Sequence, residues 1–187
     1  MKKLILIGLL SAAGMEAKAA TIQFDLKGTA GIGLLAGNEN PAASGGSGGE
    51  IGSGITFDDV TLVLTIDVGW GTANGFTNLT GNATAGHLHG PTTSGGTAAW
   101  TQNASVKYPL DSLAGWNSSA STGGFNGTVT ILSADVAALE NGQFYMNVHT
   151  AANSGGEVRG YLTVVPEPSA ACLVAAGALG MLLRRRH

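Results

Sequence analysis

Thirty glycines, gathered with Ser, Thr, Asn and Ala between short alternating apolar runs, leave this chain little room for long helices. Glycine inside a helix costs about 1 kcal/mol relative to alanine, and its clusters mark turns. What remains is a series of short strands. The clearest runs from Val60 to Val68, where Val60, Leu62, Leu64, Ile66 and Val68 alternate with mostly polar Thr61, Thr65 and Asp67. A period of two puts these sets on opposite faces, one toward a core and one toward water. Further strands are expected at Thr21 to Leu26, Ile55 to Phe57, Thr84 to His89, Phe125 to Leu132, Gln143 to His149 and Glu157 to Val164. Seven or eight such segments predict an all-β fold, an antiparallel β-sandwich. One short connecting helix is expected at Ala134 to Asn141, with Ser133 as its N-cap and Gly142 just past its end. The stretch from Ser44 to Gly54, nearly all Gly and Ser, reads as a mobile loop.

The two ends of the chain differ in kind from this middle. Lys2 and Lys3 precede an apolar run from Leu4 to Ala13, and small residues follow up to Ala17-Lys18-Ala19. That order of basic, apolar and small residues is a secretory signal, with cleavage by signal peptidase expected after Ala19. At the other end Val165-Pro166-Glu167-Pro168-Ser169 leads into an uncharged stretch from Ala170 to Leu183, then Arg184-Arg185-Arg186. The prolines stop a strand because they lack amide donors. The apolar segment favours a short membrane helix, and the arginines hold its end on the cytoplasmic side. This trio resembles the PEP-CTERM sorting signal, which implies an exosortase-type membrane protease as partner, acting near Pro166, Glu167 and Pro168. Three parts are expected: a signal peptide at 1–19, one β-sandwich domain at 20–164, and a sorting tail at 165–187. The protein is expected in the cell envelope or outside the cell, with transient anchoring to the inner membrane through the tail.

Between the signals the only basic residues are Lys27, Lys107 and Arg159, against ten Asp and Glu, so the domain is acidic. Nucleic acid is excluded as a partner on that ground, since phosphate binding needs a basic surface. The one cysteine, Cys172, lies in the tail, so an internal disulfide cannot stabilise the processed domain. Asp58 and Asp59 read as a turn rather than a calcium loop, and Trp70, Trp100 and Trp116 as packing rather than a sugar-binding platform.

Two segments carry the groups with chemistry. In Gly86-His87-Leu88-His89-Gly90-Pro91 the two histidines are two apart, so they share a strand face. In the segment from Tyr145 to Thr150, Phe144, Met146 and Val148 form one face, leaving Tyr145, Asn147 and His149 on the other. A hairpin through Ala151 to Gly156 returns Glu157 and Arg159 beside them, where they are expected to pair. Two readings of His87, His89 and His149 stand side by side. One is a copper or zinc site of three imidazoles. The other is a buried polar network in which those rings hydrogen-bond to Asn147, Glu157, Arg159 and the backbone.

The segments HLHGP and NVHTAANSGGEVRGYL, with Asn38-Glu39-Asn40-Pro41 and the helix LSADVAALENG, resemble the CHRD domain, first named from repeats in chordin. The likeness extends over roughly Ile22 to Val164. It implies an all-β fold and brings no agreed activity with it. Departures are the Gly-rich insert around Ser44 to Gly54 and Tyr161, where Gln is more usual. A weaker similarity, H-x-H on one strand and a histidine on a later one, is to part of the copper site of copper-zinc superoxide dismutases. The bridging histidine, the zinc loop and the cysteine pair of that family are absent from the domain. The function expected is therefore a non-catalytic binding or structural module, with extracellular polysaccharide or matrix as a partner. The alternative is a metalloprotein, redox-active in the manner of superoxide dismutase.

Overall fold

The computed structural model describes residues 21–119 and 121–166. The expected signal peptide with Ala19, and the tail with Glu167 and Pro168, lie outside the described residues. In chain order the elements are β1 (Thr21–Gly28), β2 (Gly31–Ile32), β3 (Leu34–Leu35), β4 (Ser47–Asp58), β5 (Val63–Trp70), β6 (Ala83–His89), β7 (Val106–Pro109), β8 (Trp116–Ser119), β9 (Thr122–Thr130), α1 (Val136–Glu140), β10 (Tyr145–Thr150) and β11 (Val158–Val164). The expected all-β architecture with one short helix is found.

Every strand pairing is antiparallel, and the main path across the sheet runs β7-β6-β10-β11-β1-β4-β5-β9-β8, with β2 and β3 as short additions. Alternation decides which side is buried. Leu64, Ile66, Val68 and Trp70 on β5 are wholly buried, and they join Phe24, Phe57, Leu88, Phe125, Met146, Val148 and Leu162 in one core cluster. Residues from both halves of the path meet in that cluster, so the sheet folds over on itself as a sandwich.

The outer strand β8 is also brought against β6, which lies toward the other end of the path. Trp116 on β8 stacks obliquely on Trp70, ring centroids 5.0 Å apart, and lies over Gly86 of β6, where a Cβ would sit 2.2 Å from the indole. Ser118 Oγ donates to the Ala83 carbonyl at 3.1 Å. The chain from Leu110 to Gly115 joins β7 directly to β8, linking opposite edges of the path. Gly86 is thus required by the tryptophan above it, and it stands beside the first histidine.

Several local expectations are corrected. The strand assigned to Val60–Val68 begins at Val63; Val60 is exposed and Leu62 has φ +59°. The cause is Asp58, whose carboxylate accepts from Val60 N at 3.0 Å and Thr61 N at 2.7 Å and so closes a turn. The supposed mobile loop is instead mostly β4, paired to β5 as far as Gly48↔Trp70. A Cβ on Gly48 would lie 2.5 Å from the Gly69 carbonyl, so here glycine permits close strand packing rather than motion. A bulge between Glu50 and Ile55 interrupts the ladder. There the Glu50 carboxylate accepts the Leu26 N–H, and Asp67 accepts Ser53 N at 3.1 Å. The helix is shorter than expected: a 3-10 turn at Ser133–Asp135 precedes α1, without a side-chain cap from Ser133. Gly142 follows α1 with φ +68°, as its position implied. Strands β7 and β8 were not foreseen, for neither has enough alternation to be read.

Candidate metal centre

His87 and His89 come from β6, and His149 from the neighbouring β10. The register pairs His87 with Asn147, His89 with Tyr145 and His149 with Ala85, which sets His149 diagonally across from His87 on the same face. Their ring centroids are 4.9 Å apart, with His89 at 5.4 Å from His87 and 5.9 Å from His149. One nitrogen from each ring falls within 4.8 Å of the other two. The faces are as the alternation predicted: Met146 and Val148 point into the core, while Tyr145, Asn147 and His149 lie opposite.

Hydrogen bonding decides which nitrogens are free. His89 Nδ1 lies 2.9 Å from the Ala104 carbonyl, and His149 Nδ1 lies 2.9 Å from the Ser154 carbonyl. A carbonyl only accepts, so both rings carry hydrogen at Nδ1 and present a lone pair at Nε2. His89 Nε2 is buried without a hydrogen-bond partner. His149 Nε2 lies 3.0 Å from His87 Nδ1. Burial pushes His89 down to about 4, against the pull of the Ala104 carbonyl, and burial likewise lowers His149. Both are therefore neutral at physiological pH, the form that binds metals.

The face beneath the histidines is held by stacking, an ion pair and hydrogen bonds. Tyr145 stacks on His89 with centroids 4.9 Å apart and planes within 4°, and the Arg159 guanidinium lies 4.1 Å from the Tyr145 ring centroid. Arg159 does not pair with Glu157, as the hairpin had implied. Its partner is Glu39 at 2.7 Å, both buried, and it also donates to the Gln102 carbonyl at 3.2 Å and Asn103 Oδ1 at 2.9 Å. Tyr161 OH donates to Gln102 O at 2.6 Å, and Tyr145 OH accepts from Ala104 N at 3.2 Å. These bonds fix the 102–104 segment and so aim the Ala104 carbonyl at His89. The early Asn38-Glu39-Asn40-Pro41 motif also meets the late one here, since Asn38 Nδ2 donates to the Arg159 carbonyl at 3.0 Å.

Glu157 is turned away from the histidines. Its carboxylate accepts instead from Thr150 Oγ1 at 2.6 Å, Thr80 Oγ1 at 2.6 Å, Thr80 N at 2.7 Å, Gly46 N at 3.0 Å and Asn153 Nδ2 at 3.1 Å. It therefore clamps the hairpin that carries Ser154. None of the hydrogen bonds described here joins an imidazole to Asn147, Glu157 or Arg159, so the network expected among them is replaced by one of backbone carbonyls and imidazoles. Sequence reasoning missed Ala104, Ser154 and Asp111, the last being 3.6 Å from His87 Nε2. The two carbonyls carry no residue-type signal at all.

Zinc–imidazole bonds of about 2.0–2.1 Å place tetrahedral ligand atoms about 3.4 Å apart. Nitrogens within 4.8 Å of one another exceed that spacing by at most about 1.4 Å, which the rings would close around an ion. Neutral imidazoles suit copper and zinc, and three of them leave a further coordination position.

No curated protein and no solved structure matches the chain. The family model described as the CHRD domain matches residues 33–162, a span that includes all three histidines, the Glu39–Arg159 pair and the Glu157 clamp. The chain belongs to the CHRD-domain family.

Proposed function

We propose that this protein is an exported CHRD module of the cell envelope or extracellular matrix, and that what it binds is one copper or zinc ion through His87, His89 and His149. One observation carries the metal reading. Nitrogens from three rings converge, and two of those rings are locked by backbone carbonyls in the tautomer that turns a lone pair toward the common point. A purely structural network gives a buried nitrogen such as His89 Nε2 a donor, because leaving it unsatisfied costs about 1–3 kcal/mol. A cation satisfies it directly.

The exported protein, dialysed against copper or zinc and then freed of excess ion, is expected to retain about one metal per chain and to melt higher with it. Replacing His87 and His89 by Ala abolishes both effects. Wild-type protein that keeps no metal and shows no melting shift at excess ion overturns the reading. The further coordination position also supports a redox-active copper centre, for which the readout is superoxide consumption by the copper-loaded protein.

Export rests on the two ends of the sequence. Signal peptidase and an exosortase-type protease are the proposed partners, with the tail as a transient anchor and extracellular polysaccharide as the surrounding matrix. In a host with an exosortase, intact mass is expected to place the start near Ala20 and the end between Val165 and Pro168. Full-length chain ending in Arg184-Arg185-Arg186-His187 and recovered from the exterior rules this processing out.

A further inference from the structure

We infer that Asp111 is a positioning residue of this centre, holding His87 in the tautomer that offers Nδ1 to the metal; the inference rests on the three-histidine reading above. His87 is the one ring of the three without a carbonyl to fix its proton. Its Nδ1 faces His149 Nε2 at 3.0 Å, and since His149 carries its hydrogen on Nδ1, a neutral His87 can satisfy that contact only by donating from Nδ1. In that state the hydrogen occupies the nitrogen that the metal needs. The opposite tautomer frees the Nδ1 lone pair and moves the hydrogen to Nε2. The group waiting there is the Asp111 carboxylate, with Oδ1 3.6 Å away.

Asp111 is built into that place. Its Oδ1 is buried and has no hydrogen-bond partner, so water does not compensate that oxygen although the side chain as a whole is 31% exposed. The backbone holds it there: Leu110 N and Asp111 N both donate to the Gly86 carbonyl, at 2.8 and 3.3 Å, in the residue before His87. The neighbouring register pairs His87 with Pro109. The segment joining β7 to β8 therefore starts by delivering a carboxylate to the imidazole.

On metal binding His87 keeps one hydrogen. It leaves Nδ1 and one is taken up at Nε2, where Asp111 accepts it, while the Nδ1 lone pair goes to the cation. No net proton is consumed by the ring. Each histidine then has its own outer partner: Asp111 for His87, Ala104 for His89 and Ser154 for His149. Such carboxylate and carbonyl partners orient a ring and raise its basicity, and their loss typically costs about 10–100-fold in metal affinity.

The test is competitive zinc and copper titration of the exported protein as wild type, D111A, D111N and D111E. D111A is expected to bind about 10–100-fold more weakly, D111N to lose less because its amide oxygen still accepts, and D111E to recover part of the loss. In the zinc-loaded wild type, nitrogen-15 NMR of the imidazoles is expected to show His87 ligated through Nδ1 with hydrogen on Nε2. D111N, close in shape to the native residue, guards against misfolding of D111A, and the metal-free melting temperature of each variant checks it. Binding by D111A and D111N equal to wild type, or ligation of His87 through Nε2, overturns the role of Asp111 while leaving the three-histidine site standing. Wild type that takes up neither metal overturns both.

Discussion

Replacing Arg159 by Ala is expected to destabilise the domain by about 3–5 kcal/mol, the usual cost of breaking a buried ion pair from one side. Arg159 is 2% exposed and Glu39 6%, and the variant leaves the Glu39 carboxylate buried without its cation. Burial already raises the Glu39 pKa in spite of the arginine, so without it the carboxyl is driven toward its neutral form. The loss extends further, because Gln102 O, Asn103 Oδ1 and the Tyr145 ring are all left without the guanidinium. Thermal unfolding is expected to drop by about 10 °C for a domain of this size. The double variant Glu39→Gln, Arg159→Met removes both charges and is expected to regain a good part of that loss, since it is the unpaired charge that is costly. A decrease below about 1 kcal/mol for Arg159→Ala contradicts the account.

The second large effect lies at Glu157. Burial alone raises the pKa of its carboxyl, but the hydroxyls of Thr150 and Thr80 and the N–H groups of Gly46 and Thr80 outweigh it and hold the group below the ordinary carboxylate range. The sign follows directly. An unfolded chain takes a proton at this residue near the ordinary glutamate value, while the folded chain takes it only at lower pH. The stabilisation is thus complete above the unfolded pKa and is lost as pH falls through the folded one. Glu157→Ala strands several buried donors at about 1–3 kcal/mol each, so a loss of at least about 3 kcal/mol is expected at neutral pH. Glu39 and Glu50, both raised by burial, contribute with the opposite sign. The clean measurement is therefore the difference between wild type and Glu157→Gln in urea unfolding across the acid range. That difference should shrink as pH drops; a constant difference would falsify the linkage.

Much of this was legible beforehand, for identifiable reasons. Period-two alternation on β5, β6 and β10 forced the faces of Leu64, Leu88 and Met146, and with them the shared face of His87, His89 and His149. Register followed from that burial, because a one-residue slip exchanges core for solvent. The sequence was silent where the backbone supplies the chemistry. Ala104 and Ser154 act through carbonyls that every residue possesses. The Arg159 partner was misassigned because Glu157 is near in sequence, whereas Glu39 arrives from the other end of the chain. The donors that turn Glu157 aside, from Gly46, Thr80, Thr150 and Asn153, are scattered along the chain and leave no mark in composition. The Gly-rich stretch before Ile55 misled for a different reason: glycine serves a flexible loop and a tightly packed strand equally well, and only the strand beside it distinguishes the two.

The placement of β1 beside β11 has a mechanical consequence. These strands run antiparallel, with Phe24 opposite Val164 and Val165 N donating to Gln23 O at 2.8 Å, so the chain enters and leaves the sandwich at one end, side by side. Tension applied between the two ends would fall on a single ladder pair at a time and peel the strands apart from Val165 inward. Tension applied through one end alone, as on a domain tethered by its C-terminal side in a flowing medium, does not load the β1–β11 ladder in that way. Single-molecule pulling from both ends is expected to open the module at low force, and the same module held by one end should withstand the drag on its own surface.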